Sequence, residues 1–347
     1  MELKILHFYP DLMSLYGSYA NVSILKRTLK EMGNTVTVER VELGGDADLT
    51  HADFVYMGAG TERAQKAALL YFFKLGDAVK AAADAGVTML EATSFVSPKA
   101  IPQMADAAEL AQYVLAAHPD ITTYALVPNY RGVQNAWTAG VRHLTYVISV
   151  SESHNKANIN RTHQQSFDEL RRIFDDFPQA DICVELATTF GCPFEGIPEI
   201  SRVVDFVGQV YALGSRSICL ADTIGIADPR QVRQTIQAVR EAFPGVAWQV
   251  HIHDTRGMGM VNTLAAIESG VDTVQSTLGG LGGCPFAPGA SGNTATEDLV
   301  YMLQRMGYDT SIDFDKLLAL SRYQHERVQG IYSGHQININ AKSSCCL

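Results

Sequence analysis

Short runs of apolar and β-branched residues alternate with longer amphipathic stretches along most of this chain. The alternation is typical of parallel α/β sheets and barrels, in which a helix follows each strand. The pattern predicts ten strands: Lys4–Tyr9, Thr35–Val41, Phe54–Met57, Val87–Phe95, Thr123–Pro128, Leu144–Val150, Ile182–Ala187, Ser217–Asp222, Trp248–Asp254 and Thr273–Leu278. Predicted helices between them include Asn21–Met32, Thr61–Ala85, Ile101–Ala117, Gln164–Asp175, Pro198–Ala212, Pro229–Ala242 and Met260–Ser269.

Seven of these strands follow one another from Val87 onward, one fewer than a closed (β/α)8 barrel requires. Phe54–Met57 is the preferred eighth strand, because the helix after it leads into the Val87 strand with ordinary spacing. Lys4–Tyr9 is the alternative, and an open barrel is another. We therefore predict an α/β fold: a (β/α)8 TIM barrel over residues 51–347 with an atypical first strand, preceded at 1–50 by an extra flavodoxin-like β-α-β unit.

Two histidines stand at the end of one predicted barrel strand, in the sequence Val-His-Ile-His-Asp-Thr. Side chains alternate along a strand, so His251 and His253 point to the same face and are able to share a metal ion. The alternative is a pair of histidines satisfied by hydrogen bonds. Asn293, at the end of the next loop, offers an amide oxygen that would extend a metal site.

That loop, residues 279–293, is rich in glycine and follows the last predicted strand. Gly282 and Gly283 would allow close approach to a ligand or movement of the loop. Cys284 is a candidate reactive thiol, although most free cysteines are buried fillers. Glu297 begins the following helix, where a carboxylate is also favoured by the helix dipole.

Two carboxylates occur within otherwise apolar strands, where they are costly unless paired. Glu91 and Asp222 are therefore candidates for groups that face or support a substrate. A helix N-cap role explains Asp222 almost as well. The polar stretch 155–160 would contact a ligand or, as the default, form a solvated loop.

Composition narrows the class of protein further. The chain has 347 residues, of which 47% are hydrophobic and 18% charged, as in an ordinary globular enzyme. The formal charge of -10 argues against a general nucleic-acid surface. There is no apolar run of membrane-spanning length and no recognisable signal peptide, and the six cysteines do not form a disulfide framework. We expect a cytoplasmic protein.

Four motifs occur in order from Glu91 onward: Glu-Ala-Thr-Ser-Phe-Val-Ser-Pro-Lys, Gly-Cys-Pro-Phe-Glu-Gly, Asp-Thr-Ile-Gly and Gly-Gly-Leu-Gly-Gly-Cys-Pro. Because of these four motifs, the chain from about residue 87 onward resembles the 3-hydroxy-3-methylglutaryl-CoA (HMG-CoA) lyase family. That family belongs to the metal-dependent barrels that also include isopropylmalate and homocitrate synthases. The cysteine-containing glycine loop is similar to that of the lyases and separates them from the synthases.

The resemblance implies a divalent-metal-dependent carbon–carbon lyase that cleaves HMG-CoA to acetoacetate and acetyl-CoA, as in leucine degradation and ketone-body formation. It implies Mg²⁺ or Mn²⁺ as the cofactor, a CoA thioester as the substrate, and is compatible with a homodimer. The implied metal ligands are His251, His253 and Asn293. The implied catalytic residues are His251, Cys284, Glu91, Asp222 and Glu297, and those implied to bind substrate or CoA are Asn160, Thr223, Gly282 and Gly283.

The chain departs from the family at the first barrel strand. There the family has Gly-Pro-Arg-Asp-Gly-Leu-Gln, whose Asp is a metal ligand and whose Arg stabilises an enolate. This sequence has no such motif; Gly60 and Thr61 take the places of Arg and Asp, and Glu62, Arg63 or Asp11 are possible substitutes. The alternatives are therefore a degenerate or chimeric barrel that only binds metal or CoA, and a related CoA-dependent aldolase or synthase.

Residues 1–85 resemble instead the start of a cobyric-acid-synthase-type glutamine amidotransferase. The resemblance is carried by residues 9–17, Tyr-Pro-Asp-Leu-Met-Ser-Leu-Tyr-Gly, and by residues 57–65. Such a domain needs a nucleophilic Cys at the position that Glu91 occupies. We therefore expect no glutamine hydrolysis.

Overall fold

The chain divides into two compact units, Met1–Val79 and Lys80–Leu347. The computed structural model describes residues 2–8, 18–42, 47, 51–57, 75–99, 101, 104–283, 286 and 292–339. Most of the residues that resemble an amidotransferase, 9–17 and 58–65, lie outside these ranges, and so does Cys284.

The first unit contains a parallel sheet of three strands with the order β2-β1-β3. Its elements are β1 (Glu2–Phe8), α1 (Ser18–Glu31), β2 (Thr35–Val41) and β3 (Phe54–Met57). Ile5 of the central strand, Val22 of the helix and Val36 of the second strand form its buried core. The predicted β-α-β unit is confirmed, and the 2-1-3 order is the one with which flavodoxin-like sheets begin.

The expectation that Phe54–Met57 supplies the first barrel strand is wrong. This strand pairs with β1 over Ile5–Phe8 and belongs to the three-stranded sheet. Asp53 fixes the start of the pairing, because its backbone N–H donates to the Lys4 carbonyl and its carboxylate accepts the Lys4 N–H at 2.7 Å. The β1 strand thus has a hydrogen-bonded neighbour on each edge, whereas in a pair of β1 and β2 alone one edge of β1 would stay unpaired.

The second unit contains a parallel sheet of seven strands arranged strictly in chain order, from β4 to β10. Helices lie between successive strands, which is the topology of a TIM barrel, and the predicted fold class is confirmed. Among the described residues no eighth strand joins β4 or β10. The strands are β4 (Met89–Ser94), β5 (Thr122–Val127), β6 (His143–Ser149), β7 (Asp181–Ala187), β8 (Ser217–Asp222), β9 (Ala247–Ile252) and β10 (Thr273–Gln275).

The structure describes ten α-helices after β3, the first of which spans the boundary between the two units. They are α2 (Leu75–Asp84), α3 (Ala107–Ala117), α4 (Tyr130–Thr138), α5 (Glu152–Ile159), α6 (His163–Asp176), α7 (Ile200–Ala212), α8 (Pro229–Ala242), α9 (Gly259–Glu268), α10 (Thr296–Arg305) and α11 (Phe314–Arg327). The part of the predicted Thr61–Ala85 helix before residue 75 lies outside the described residues. No helix in the described ranges has the length and apolar character needed to cross a membrane.

Alternate residues of the barrel strands have opposite characters. Those that pack against the helices are apolar and fully buried, and include Leu144, Ile148, Leu186, Ile218, Leu220 and Val250. Their neighbours in sequence point to the opposite face, since side chains alternate along a strand. That inner face carries polar and sulfur-containing groups, among them Thr145, Cys183, Glu185, Cys219, Gln249 and His251. The helix-facing positions therefore stabilise the barrel, and the inner positions are available for chemistry.

Candidate metal centre and active site

His251 and His253 converge at the C-terminal end of β9. Their Nε2 atoms are 3.1 Å apart, and their ring centroids are separated by 5.0 Å. On its other side, His251 Nδ1 lies 3.0 Å from Oε1 of Gln275 on the neighbouring strand. At this separation the two Nε2 atoms are able either to share a hydrogen bond or to bind one cation together, and Gln275 holds the outer nitrogen of His251 as a neighbour commonly holds that of a metal ligand.

Asn293 lies beside this pair, as the sequence predicts. It forms an isolated backbone bridge with His253, and its Nδ2 donates to the Leu281 carbonyl at 3.1 Å. Its Oδ1 is buried and has no hydrogen-bond partner in the described part of the chain. Because a buried amide oxygen without a partner is costly, this atom is the natural third donor for a bound cation.

The spacing of the two histidines fits a divalent ion. Metal–nitrogen distances of about 2.1 Å at right angles place two ligand atoms about 3.0 Å apart, close to the separation of the histidine nitrogens. Burial lowers the pKa of His253 to about 4, the neighbouring His251 adds to this effect, and the Thr223 backbone opposes it. His253 is therefore neutral at pH 7, as a metal ligand must be. Within the described ranges no set of three His, Cys, Asp or Glu side chains is arranged to hold a metal ion.

Glu91 lies on β4 and accepts a 2.8 Å hydrogen bond from Thr145 Oγ1. Removal of water by the surrounding protein raises the pKa of its carboxyl, and the negative charge of Glu185 raises it further. The Thr145 hydrogen bond and His251 lower this pKa, but by a smaller amount. Its side chain still contacts solvent, and this water limits the shift. The hydrogen bond from Thr145, an inner-face residue, places Glu91 on the inner face of the sheet.

Asp222 ends β8 and is completely buried. Its two carboxylate oxygens accept the backbone N–H groups of Ile226 and Ala227, both at 3.1 Å. Burial raises the pKa of Asp222, and these hydrogen bonds oppose the increase. The alternative that it caps the next helix is wrong, because Asp228 is the N-cap residue of α8. Asp222 instead holds the loop that follows its own strand.

Thr223, the next residue, joins two strand ends. Its Oγ1 accepts the Thr188 backbone N–H at 2.7 Å, which links the loops after β8 and β7. Its backbone also influences His253, so it lies at the same end of the barrel as the histidine pair.

The glycine-rich loop begins at a short 3₁₀ turn, Leu278–Gly280. Gly282 lies against the Asn293 amide, and any Cβ at position 282 would collide with Asn293 Nδ2. Gly283 has open space around its Cα, so steric crowding does not explain glycine there. Glycine at 282 thus leaves room for the amide of Asn293.

Glu297 lies in the first turn of α10, as predicted, but its contacts are directed to the base of the loop. Its Oε2 accepts the Gly279 N–H at 3.0 Å and the Ser321 hydroxyl at 2.9 Å. Burial raises the pKa of its carboxyl. Glu297 therefore anchors the start of the loop, which is a supporting role.

Asn160 adopts the left-handed conformation at the C-terminal end of α5, and its N–H donates to the Lys156 carbonyl. Its side chain is exposed. The expectation of a solvated loop over 155–160 is wrong, because 155–159 complete a helix in which Asn155 is fully buried. Asn155 Oδ1 accepts the Ser149 N–H at 3.0 Å, and so connects the helix to the end of β6.

Sequence reasoning missed His154, which is buried at the same end of the barrel. Its Nδ1 is 2.7 Å from Ser149 Oγ, and its ring lies 4.3 Å from that of Phe286 and 6.3 Å from that of Phe194. Burial lowers its pKa to about 4. A single histidine within a polar stretch carries no pattern that would have revealed this burial.

The burial of His154 predicts a loss of stability in acid. An unfolded histidine titrates near about pH 6.5, so between about pH 6.5 and 4 the unfolded chain binds a proton that the folded chain excludes. The free energy of unfolding should therefore fall as the pH drops through this window. A shift of this size corresponds to about 3 kcal/mol.

Replacement His154→Phe should flatten this pH dependence, because phenylalanine keeps the ring contacts and cannot be protonated. Urea unfolding at several pH values between 4 and 7 measures the slope. His253 acts in the same direction, so part of the slope should persist. Replacement of the exposed His325 by phenylalanine is the control and should leave the slope unchanged. Equal slopes for His154→Phe and the wild-type protein would contradict the assignment.

A parallel α/β barrel with a histidine pair and an amide at its strand ends is the architecture of a metal-dependent barrel enzyme. The profile of the HMGL-like family matches residues 74–323. Hydroxymethylglutaryl-CoA lyase YngG of Bacillus subtilis is 38% identical over 245 residues, which are 70% of this chain and 82% of that protein. The mitochondrial hydroxymethylglutaryl-CoA lyase of Macaca fascicularis is 40% identical over 242 residues, 69% of this chain and 74% of that one. The chain therefore belongs to the HMGL-like family.

Solved structures agree with this assignment. An HMG-CoA lyase from Acinetobacter baumannii, in complex with coenzyme A and 3-methylmalate, has a TM-score of 0.72 and 39% identity. The match covers 78% of this chain and 88% of that one. The Bacillus subtilis HMG-CoA lyase has a TM-score of 0.71 and 35% identity, over 76% of this chain and 89% of that one. The match to the lyases therefore extends to the three-dimensional arrangement of the barrel.

Proposed function

We propose that this protein is a carbon–carbon lyase that cleaves HMG-CoA to acetoacetate and acetyl-CoA. The observation that carries the proposal is the histidine pair, whose Nε2 atoms are 3.1 Å apart at the strand ends of a lyase-type barrel, beside Asn293 with its unpartnered buried Oδ1. A CoA thioester as substrate is supported by the coenzyme A bound to the Acinetobacter relative.

The reaction needs a proton acceptor, an electron sink and a proton donor. The tertiary hydroxyl loses its proton, and the new carbonyl of acetoacetate forms as the adjacent carbon–carbon bond breaks. The bonding electrons pass to the thioester fragment, which takes up a proton to become acetyl-CoA. Bound Mg²⁺ or Mn²⁺, held by His251, His253 and Asn293, would polarise substrate oxygens.

His251 is also the proposed proton-transfer group. Because one nitrogen cannot bind a cation and a proton together, Nε2 would carry the proton while it is not coordinated, and Gln275 orients the ring through Nδ1. Glu91 would hold or release a proton nearby, while Asp222 and Glu297 keep the surrounding loops in place. Cys284, in the glycine loop, is proposed to help close the site. Thr223, Gly282, Gly283 and Asn160 are proposed to contact the substrate or CoA.

We expect the rate to be low, because the sequence lacks the Arg-Asp motif of the family's first strand. Loss of one preorganised charge donor commonly lowers the rate by about 10²–10³-fold. The test measures acetoacetate release from HMG-CoA with Mn²⁺ or Mg²⁺, using the Bacillus subtilis lyase as the reference enzyme. We expect turnover about 10²–10³-fold below the reference.

A degenerate barrel is the second candidate, favoured by the missing motif and by the place of Phe54–Met57 in the other sheet. It would be recognised by Mn²⁺ binding in calorimetry without any acetoacetate above the enzyme-free rate. A condensation product from acetyl-CoA and a 2-oxoacid would instead indicate a synthase.

A homodimer and a cytoplasmic location remain predictions. For the N-terminal unit we propose no glutaminase activity, because Glu91 stands where the nucleophile would be.

A further inference from the structure

A short segment near the C-terminus binds to the base of the glycine-rich loop. We call residues 332–336 the C-terminal strap; they lie beyond the residues that the family profile matches. Asp298 is the main attachment point, because its carboxylate accepts the His335 N–H at 2.7 Å and the Gln336 N–H at 2.8 Å. The His335 ring approaches the same carboxylate at 3.1 Å.

The strap contacts both ends of the loop. At the entrance, the Gly334 N–H donates to the Gly279 carbonyl at 2.9 Å. At the return, Ser333 Oγ donates to the backbone carbonyl of Asn293 at 2.6 Å. Space for these contacts depends on glycine, since a Cβ at Gly280 would collide with the Ser333 hydroxyl. The strap therefore fixes the distance between the two ends of the loop.

Asn293 is held at its backbone carbonyl, which accepts the Ser333 hydroxyl, and at Nδ2, which donates to the Leu281 carbonyl. Its bridge to His253 is formed by the residues on either side, because Asp254 N–H donates to the Gly292 carbonyl and Thr294 N–H to the Ile252 carbonyl. The buried Oδ1 of Asn293 has no partner within the described residues. A ligand that is fixed in this way costs less conformational entropy to order when the ion binds.

We propose that the C-terminal strap positions Asn293 for the divalent cation and that Ser333 is its positioning residue. The proposal rests on the proposed function, because it assumes that Asn293 Oδ1 is a ligand. Outer contacts of metal ligands are commonly worth about 10–100-fold in metal affinity. Ser333 acts through the Asn293 backbone and does not itself touch the ion.

The test is Mn²⁺ binding to the full-length protein by calorimetry. Ser333→Ala should raise the Kd for Mn²⁺ about tenfold. Ser333→Thr keeps the hydroxyl and should restore the Kd to within about threefold of wild type. Gln336→Ala is the matched control, since Gln336 contributes backbone groups to the strap, and should not change the Kd.

A second measurement does not depend on metal. Hydrogen exchange of the metal-free protein should be faster at residues 278–283 and 292–296 in Ser333→Ala than in wild type, and not in Ser333→Thr. Unchanged exchange there, or an unchanged Mn²⁺ Kd in a metal-binding protein, would overturn the positioning role.

If wild type binds no Mn²⁺ while exchange responds as expected, the metal site of the proposed function fails and the strap's hold on Asn293 stands. Should Ser333→Ala not fold, Ser333→Cys, with a weaker donor, replaces it in both measurements.

Discussion

His251→Ala should lower the rate of acetoacetate release by about 10³-fold and weaken Mn²⁺ binding. The change removes one of the two imidazole nitrogens that lie 3.1 Å apart, together with the proposed proton-transfer group. A coupled assay for acetoacetate measures the rate. Calorimetry is run in parallel, because the wild-type rate is itself expected to be low.

His143→Ala is the matched control for this experiment. His143 also lies on a barrel strand, but it begins β6 and pairs with Asp181 at the opposite end of the barrel. Its replacement should leave the rate and the Mn²⁺ affinity within about twofold of wild type, because a solvent-exposed ion pair contributes little free energy. If His251→Ala kept more than a tenth of the wild-type rate, the histidine pair would not be the centre of the reaction.

Asp222→Ala should reduce the free energy of unfolding by about 3 kcal/mol, because each buried N–H left without an acceptor costs about 1–3 kcal/mol. The two donors are the backbone N–H groups of Ile226 and Ala227, which bond to a fully buried carboxylate. Urea unfolding at pH 7 measures the change. The rate should fall as well, since the same loop carries Thr223 beside His253.

Asp228→Ala is the control variant. It shows whether the loss of stability depends on the burial of the aspartate or follows from the loss of any aspartate that accepts backbone hydrogen bonds. Asp228 also accepts two N–H groups, from Arg230 and Gln231, but it is exposed and caps α8. Its loss should cost only about 1 kcal/mol, since water can solvate the freed donors. Equal losses for the two variants would show that burial gives Asp222 no special weight.

Local sequence pattern determined most of the secondary structure and the centre of the site. Ser217–Asp222 and Pro229–Ala242 begin and end where predicted, because apolar runs and helical periodicity are encoded within the element itself. The helix Glu152–Ile159 was missed, since a short polar helix with little periodicity resembles a loop in sequence, and Tyr130–Thr138 was not among the predicted helices. The His251–His253 pair was predictable from the alternation of side chains along a strand.

Only the tertiary structure decided which groups meet. A four-residue strand such as Phe54–Met57 carries no information on its partner, and the free edge of β1 selected it. The burial of His154, the loop-holding role of Asp222 and the hold of Ser333 on Asn293 likewise depend on residues 5 to 40 positions away. The sequence by itself determined the strands, the strongly periodic helices that were predicted and the face on which the histidines lie, because these follow from short-range periodicity. The partners of buried polar groups were decided by the folded chain, because burial and hydrogen bonding arise only when distant segments pack together.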